Sequence, residues 1–320
     1  MHRLNGPYYD DLAPGTELPK LPAVTITDAE NVAYRSITGD ENRLTADRSA
    51  YAAASGSNGA LANPGLVLQL SIGLSTSATR HAIANLFYRG VLVQRPVEVG
   101  ETVQSTTTVL GMADSRPKGD LNRGKVLLGI DTIGSNGPIA SYQRCALLPA
   151  RGEAPGFSDD VGSATSAPDP DYSSVIPEWD LSALPDLPVA AGETVEDPME
   201  DHIDLAAAFA RMTFNQAMVH RSEFATTYPT RLVYGGHVIA LAQASATRVF
   251  PGMATVLGWK RCNHTAPAFE GDTLSFTHTL KSSDFVGTGQ MLTIETLGFR
   301  RTADAEPEQL LDWEYVALHR

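Results

Sequence analysis

The side chains best suited to acid–base chemistry in this 320-residue chain lie in its C-terminal half. His220 can take up and release a proton near neutral pH, because histidine has the side-chain pKa nearest to neutrality. Asn215 precedes it by five residues, and its amide can orient a water molecule but cannot accept a proton from it. The pair indicates proton transfer to or from a small molecule, with the histidine carrying the proton.

A glycine pair that follows this segment is suited to binding a developing negative charge. Gly235 and Gly236 open an apolar helical run, and the free backbone N–H groups at a helix N-terminus can stabilise an oxyanion. The competing interpretation is that the missing side chains only allow close packing. His237 and His264 are further candidates, although a lone histidine is more often a hydrogen-bonded core residue.

The chain contains an internal repeat. Residues 96–102 follow the pattern P-x-x-x-G-(D/E)-T, which returns at residues 267–273. In both copies a glycine, Gly65 or Gly236, precedes the glycine of this segment by 35 residues, so that one offset of 171 residues aligns the two halves. Equal spacing of two landmarks indicates a duplicated domain, and differences between the copies should show where the chemistry lies.

Each copy has the same order of predicted elements. A short helix with polar caps comes first. It starts near Thr27 in the first copy and covers residues 201–211 in the second. A continuously apolar helix follows, and it is too hydrophobic to be exposed; it covers residues 66–74 and 238–249. Alternating strands come next, at residues 102–110, 125–133, 142–148, 273–280, 291–298 and 311–318. One buried helix followed by an antiparallel meander, twice over, predicts an α+β tandem (double) hotdog fold, in which each curved sheet wraps around a central helix.

The predicted domains are an N-terminal hotdog over residues 1–152, a proline-rich linker over 153–195 and a C-terminal hotdog over 196–320. Proline at the density found in the linker blocks both helix and sheet ladders. The two units are expected to pack sheet against sheet as a pseudo-dimer within one chain. Three apolar residues are expected to attach the linker to the surface that it crosses: Ile176, Trp179 and Leu181.

Composition disfavours several classes of function. A formal net charge of −13 without a basic patch argues against a nucleic-acid partner. No window approaches the ~18 apolar residues of a membrane span, and the N-terminus has no apolar signal region, so a cytoplasmic protein without a membrane partner is expected. Cys145 and Cys262 lack metal-ligand spacing and are expected to be reduced core residues, and no cluster of residues suggests a metal site.

Residues 38–47 resemble the hydratase motif G-D-x-N-P-(I/L)-H-x-D of the MaoC-like (R)-specific enoyl-CoA hydratases. The matching residues are Gly39, Asp40, Asn42 and Asp47. Thr45 stands at the position of the family's catalytic histidine, whereas residues 213–220 keep that histidine as His220 and have Asn215 in place of the aspartate. Each copy therefore keeps one half of the family's dyad. The resemblance implies that the C-terminal copy carries the chemistry and that the N-terminal copy is structural or shapes the substrate tunnel.

A narrower resemblance, to the double-hotdog mesaconyl-CoA hydratases (β-methylmalyl-CoA dehydratases), extends over both halves. It rests on residues 82–86, 231–239 and 264–267. It implies addition or removal of water across the double bond of a short enoyl-CoA, which could be branched or dicarboxylic. The implied catalytic residues are His220, Asn215 and Gly236, and the implied substrate- or CoA-binding residues are Gly235, His237, Arg231 and His264. Coenzyme A would enter as part of the substrate, and no separate cofactor is expected.

A dicarboxylic substrate would need a cation to receive its distal carboxylate. Arg231 lies four residues before Gly235, and Arg43 lies in the degenerate first motif. A guanidinium group binds a carboxylate well, because its N–H groups match both oxygens. The alternative for either arginine is a solvated surface position or a contact with CoA phosphates.

Two other functions stay open at this point. A hotdog thioesterase would need a carboxylate near the start of the helix to activate water, and residues 235–240 contain none. A non-catalytic acyl-CoA-binding protein is compatible with the split dyad. One active site per chain is expected, a homodimer is compatible with the sequence but not required by it, and the sequence leaves open whether Asp40 assists catalysis.

Overall fold

The repeat inferred from the sequence is visible in the computed structural model as two similar units. The structure describes residues 6–162, 169–226, 228–302 and 306–320. Its helices are α1 (Asp28–Thr38), α2 (Arg43–Ala46), α3 (Arg48–Ser55), α4 (Pro64–Leu74), α5 (Ala206–Met212) and α6 (Gly235–Val249). Its strands are β1 (Val24–Thr25), β2 (Ala84–Val93), β3 (Thr102–Lys118), β4 (Leu121–Gly134), β5 (Gly137–Pro149), β6 (Thr194–Glu196), β7 (Asp201–His202), β8 (Met253–His264), β9 (Thr273–Val286), β10 (Gly289–Arg300) and β11 (Glu308–His319).

Both halves have the same sheet topology. The strand order is β1-β3-β4-β5-β2-β8-β11-β10-β9-β6, with β7 also paired to β9. The order in the N-terminal half is β3-β4-β5-β2. The C-terminal half has the equivalent strands in the reverse order, β8-β11-β10-β9, so that the equivalent strands β2 and β8 meet at the junction. Helices α4 and α6 begin 171 residues apart, as do strands β3 and β9 and strands β5 and β11. The predicted α+β double hotdog is confirmed, and the offset of 171 residues holds in three dimensions.

The two sheets join edge to edge and not face to face as predicted. Strand β2 pairs antiparallel with β8, with Tyr88 opposite Cys262 and Val91 opposite Trp259. The unpaired backbone groups of two edge strands satisfy each other in this way, so one antiparallel sheet runs through the whole chain. Neither strand was among those predicted from alternation, since the first seven residues of β8 are all buried and show no period of two.

The central helices form the core that the sheet encloses. Every residue of α4 is buried, and residues 236–247 of α6 are buried as well. Each helix contacts the sheet on one side and its partner helix on the opposite side. This explains why both helices are apolar around their whole circumference. No helix in the described part of the chain is long and apolar enough to cross a membrane.

The short first helices differ between the halves. The predicted start of α1 is confirmed by a capping box, in which Thr27 accepts from the backbone of the first turn and Glu30 accepts from the backbone N–H of Thr27. The predicted helix at residues 201–211 is only half right. Asp201 lies in β7, where its carboxylate pairs with Arg248 at 2.8 Å, and the helix begins at Ala206.

The proline-rich connection packs against both units. Leu181 is buried, and Ile176 and Trp179 pack against the same cluster, with Trp179 edge-on to Tyr51. Strand β6 begins at Thr194 and pairs with β9. The predicted linker also includes residues 163–168, which lie outside the described residues, and its boundaries stay a prediction. Cys145 and Cys262 are free and buried.

Candidate active site

A cavity of about 230 Å³ lies where the two halves meet. The N-terminal half contributes the end of α4, the start of β2 and part of β5. The C-terminal half contributes the segment between α5 and α6, the first turn of α6 and the end of β8. Four of the seven predicted site residues line it: Asn215, His220, Gly235 and His264.

The segment that carries Asn215 is held from both halves. Its backbone N–H donates to Ala210 O at 2.9 Å, and its side-chain Oδ1 accepts from the N–H of Ala217 at 2.9 Å. The next residue, Gln216, donates its N–H to Thr76 Oγ1 of the N-terminal half at 2.9 Å. These bonds fix the position of the buried Asn215 amide at the cavity wall.

His220 is arranged as a neutral base. It ends a short 3₁₀ turn, Met218–His220, and its Nδ1 lies 3.0 Å from the carbonyl oxygen of Leu232. A carbonyl can only accept, so Nδ1 carries the proton and Nε2 keeps its lone pair. Burial lowers the pKa of His220 from 6.5 to about 4, against the opposing effect of this hydrogen bond. The imidazole is therefore neutral at physiological pH, with Nε2 able to accept a proton.

The N-terminus of α6 meets His220 and His264 at the same cavity. The first amides of a helix have no intrahelical acceptor and carry partial positive charge. A Cβ atom at Gly235 would lie 2.6 Å from Cε1 and Nε2 of the His264 ring, so glycine is required for this close approach. The Nε2 atom of His264 is buried without a partner among the described residues. Burial, and secondarily the proximity of His220, lowers the pKa of His264 to about 4.

The other three predicted site residues do not line the cavity. Gly236 packs against Gln69 and the ring of Tyr234, which matches the packing interpretation of this glycine. His237 is buried and stacks on Phe209 with ring centroids 4.5 Å apart. Arg231 forms an ion pair with Glu270.

Arg43 and Asp40, the two candidate residues of the degenerate first motif, lie away from this cavity. Arg43 is exposed. Asp40 is buried next to Gln243, whose Nε2 donates to Asp40 Oδ2 at 3.1 Å, and burial raises the pKa of Asp40. No carboxylate among the described residues lines the cavity, so Asp40 does not supply the missing acidic partner of His220.

Sequence reasoning missed Arg144, a buried residue of the cavity wall that is 3% exposed. Its strand was predicted, and within that strand Arg144 lies on the same inward face as the buried Tyr142 and Leu148. A charged residue at a core position of an amphipathic strand is itself a signal. Asn85 and Tyr234 also line the cavity and were not predicted as site residues.

Metal binding finds no support in the described ranges, where no group of three or more His, Cys, Asp or Glu side chains is placed to hold an ion. The polar side chains of the cavity carry imidazole, amide, phenol, hydroxyl and guanidinium groups, and Gly235 at the start of α6 also lines it. Such a set can move a proton and stabilise negative charge.

Solved structures share this architecture. A conserved hypothetical protein of Mycobacterium tuberculosis with a double hotdog fold is 36% identical over 100% of both chains, with a TM-score of 0.90. A putative MaoC domain dehydratase of Chloroflexus aurantiacus shares the fold, with a TM-score of 0.82 at 22% identity over 98% of this chain and 97% of that one. At 36% identity over the whole of both chains, the chain belongs to the same double hotdog family as the Mycobacterium tuberculosis protein.

Two curated relatives match most of the chain. A β-methylmalyl-CoA dehydratase of Chloroflexus aurantiacus is 27% identical over 84% of this chain and 80% of its own length. A mesaconyl-CoA hydratase of Cereibacter sphaeroides is 25% identical over 84% of this chain and 81% of its own length. No family model matches the chain. Both relatives are hydratases or dehydratases of CoA thioesters by name.

Proposed function

We propose that the protein adds water to, or removes it from, the double bond of a short enoyl-CoA thioester. The observation that carries this proposal is a neutral histidine, His220, whose Nδ1 is bound to Leu232 O, so that its Nε2 is left to act in a cavity that Gly235, the first residue of α6, also lines. A base for water and donors for a thioester oxygen are the two groups that this reaction requires.

In the hydration direction, His220 Nε2 accepts a proton from water as the water oxygen forms a bond to Cβ of the substrate. The π electrons of the Cα–Cβ bond shift toward the thioester, and its oxygen becomes an enolate. The backbone N–H of Gly235 donates to this oxygen, where the partial positive charge of the helix N-terminus adds to the stabilisation. The imidazolium then returns the proton to Cα, so that one water is added and His220 is regenerated.

A single base suffices because the two transfers are sequential. Asn215 orients the water through its amide, which neither takes up nor releases a proton in the reaction. His264 packs against Gly235 with its Nε2 unpartnered among the described residues, so it is placed to hydrogen-bond the thioester or the attacking water. In this proposal coenzyme A is part of the substrate, no resident cofactor takes part, and the reaction takes place in the cytoplasm.

The test follows the absorbance of the conjugated enoyl thioester with crotonyl-, mesaconyl- and itaconyl-CoA. Loss of the chromophore without release of free thiol is expected with wild type. The variant His220→Asn should lower kcat by about 10²–10⁴-fold, the usual contribution of a general base. His202→Asn is the matched control, because His202 is exposed in β7, and it should act like wild type.

Two outcomes would overturn the proposal. Release of free thiol at a rate that depends on His220 would indicate a thioesterase. Binding of all three thioesters without any loss of the chromophore would indicate an acyl-CoA-binding protein without hydratase activity.

A further inference from the structure

Tyr234 carries a buried hydroxyl group that has no hydrogen-bond partner among the described residues. The side chain is 4% exposed and belongs to the wall of the cavity that holds His220. Its ring centroid lies 5.5 Å from that of His220. A buried hydroxyl that makes no hydrogen bond destabilises the folded protein, so the stability of the fold does not explain this group.

The backbone places the hydroxyl of Tyr234 next to the N-terminus of α6. Tyr234 is the residue just before this helix, and its side chain folds back over the first turn. A Cβ atom at Gly236 would overlap Cζ of the ring, the atom that carries the hydroxyl. The hydroxyl therefore lies close to the first amides of α6, where partial positive charge gathers.

The surroundings of Tyr234 keep its phenol protonated. Burial, and secondarily the proximity of the phenols of Tyr88 and Tyr142, raises the pKa of Tyr234 well above 10. The charge of Arg144 and the amide of Asn215 act in the opposite direction. The phenol is therefore a hydrogen-bond donor over the whole physiological pH range.

Arg144 adds a positive charge near this hydroxyl. Its hydrogen-bond partners are the neutral side chains or carbonyl groups of Ser75, Thr79 and Asn85. It forms no ion pair with a described residue. Because charges interact strongly in a buried site, the guanidinium and the start of α6 together favour negative charge on a ligand atom that meets the phenol.

The proposed hydration has such an atom. The thioester oxygen becomes an enolate and accepts from the N–H of Gly235, and an oxygen of this kind can accept a second hydrogen bond. Asn215 and His220 are engaged with the attacking water. A buried phenol that stays protonated is a suitable second donor, because it is already oriented and desolvated when the charge develops.

We propose that Tyr234 is a further catalytic residue, whose phenol donates a hydrogen bond to the thioester oxygen as this oxygen becomes an enolate. This inference rests on the proposed hydratase function and adds a residue to its mechanism. The O–H bond of the phenol is not broken, since the proton that reaches Cα comes from His220. The hydrogen bond strengthens as charge develops, so it lowers the barrier more than it tightens substrate binding.

The first experiment measures hydration of crotonyl-CoA by Tyr234→Phe. This variant should lower kcat by about 10²–10³-fold, the usual effect of removing one oxyanion donor, while KM changes little. Its resistance to urea should equal or exceed that of wild type, because only an unpartnered hydroxyl is lost. A purely structural tyrosine would leave kcat unchanged.

Tyr315→Phe is the matched control. Tyr315 is also buried, and its hydroxyl likewise has no partner within the described ranges, but it is not among the residues that line the cavity. This variant should keep the wild-type kcat. The comparison separates the loss of a buried hydroxyl from the loss of a donor at the cavity.

The second experiment isolates the enolate step with butyryl-CoA in D₂O. His220 can remove a Cα proton from this saturated thioester and return a deuteron, and no water is added. The same enolate forms, so Tyr234→Phe should slow deuterium incorporation, followed by mass spectrometry, by about the factor that it takes from kcat.

The outcomes separate this proposal from the proposed function. Wild-type kcat in Tyr234→Phe would overturn the role of the phenol and leave the hydratase intact. Slower hydration with unchanged deuterium incorporation would also overturn it, because the phenol would then act on the water and not on the enolate. If wild type incorporates deuterium in a manner that depends on Tyr234 but hydrates no thioester, the hydratase fails and the donor stands. If wild type does neither, both proposals fail.

Discussion

His220 and Asn215 show how much of the chemistry rests on single side chains. The histidine lies at the position that the MaoC-like motif gives to its catalytic base, and the amide replaces the carboxylate that would accompany it. Because no described acidic residue lines the cavity, the charge of the imidazole depends mainly on burial. Burial lowers the pKa of His220 and of His264 to about 4.

The pH dependence of hydration follows from this shift. The base is the neutral imidazole, so activity is present above the pKa of His220 and is lost as the pH falls through it. We expect kcat/KM for crotonyl-CoA to stay level from pH 8 to well below 6.5 and to decline only as the pH approaches about 4. Stopped-flow measurements at constant ionic strength, with circular dichroism to verify folding at each pH, would check this. A half-maximal rate near the unperturbed value of 6.5 would contradict a buried, neutral base.

At the scale of elements, the turns that carry Asp40 and Asn215 have the same backbone geometry in the two copies, but their surroundings differ. Asp40 and Asn215 each accept from a backbone N–H two residues later, at 2.9 Å in both cases. The residues before them, Gly39 and Phe214, both have a left-handed backbone, with φ of 70° and 59°. In the first copy, however, Gln243 of α6 occupies the space beside the carboxylate and donates to it. The space beside Asp40, which corresponds to the cavity beside Asn215, is therefore filled by a side chain of the second copy.

The β2–β8 junction that joins these copies gives a prediction at the same scale. A Cβ atom at Gly258 would overlap the carbonyl oxygen of Val91 on the neighbouring strand, where no side chain can move aside. Gly258→Ala should therefore lower the free energy of unfolding by about 1–3 kcal/mol, the usual cost of overpacking.

Urea denaturation would measure this change, with Gly129→Ala as the control. The atoms nearest to a Cβ atom at Gly129 would belong to the side chain of Leu110, which is 46% exposed and free to adjust. Equal stability of the two variants would indicate that the halves do not depend on close contact of these strands.

At the scale of the whole molecule, the cavity that holds His220 is built from two units with different roles. The N-terminal half contributes α4, the start of β2 and Arg144, while the C-terminal half contributes His220, His264 and the N-terminus of α6. Each half is thus needed for the site, although only one retains the histidine of the motif.

One ligand should bind per chain. Butyryl-CoA, a saturated thioester that cannot be hydrated, should titrate by calorimetry to one equivalent, because Gln243 and the buried Asp40 fill the corresponding region of the first copy. His220→Asn should leave this stoichiometry unchanged, since the variant removes a base and not a cavity. Two equivalents of equal affinity would show that the first copy keeps a functional site.

The sequence by itself determined the repeat, the two central helices and six of the strands, because these depend on local periodicity and on landmarks at constant spacing. It also indicated His220, Asn215 and Gly235, since motif and helix position are properties of neighbouring residues. These three residues line the observed cavity.

Only the tertiary structure decided how the two sheets join and which distant residues meet. Strands β2 and β8 pair across more than 160 positions of chain, and the alternation within each strand carries no information about its partner. In the same way, Asn85 and Arg144 come together with His220 only because β2 and β5 are neighbours in the sheet and the segment before α6 folds against them. Local patterns specify the elements, whereas the site depends on contacts between residues that are far apart in the chain.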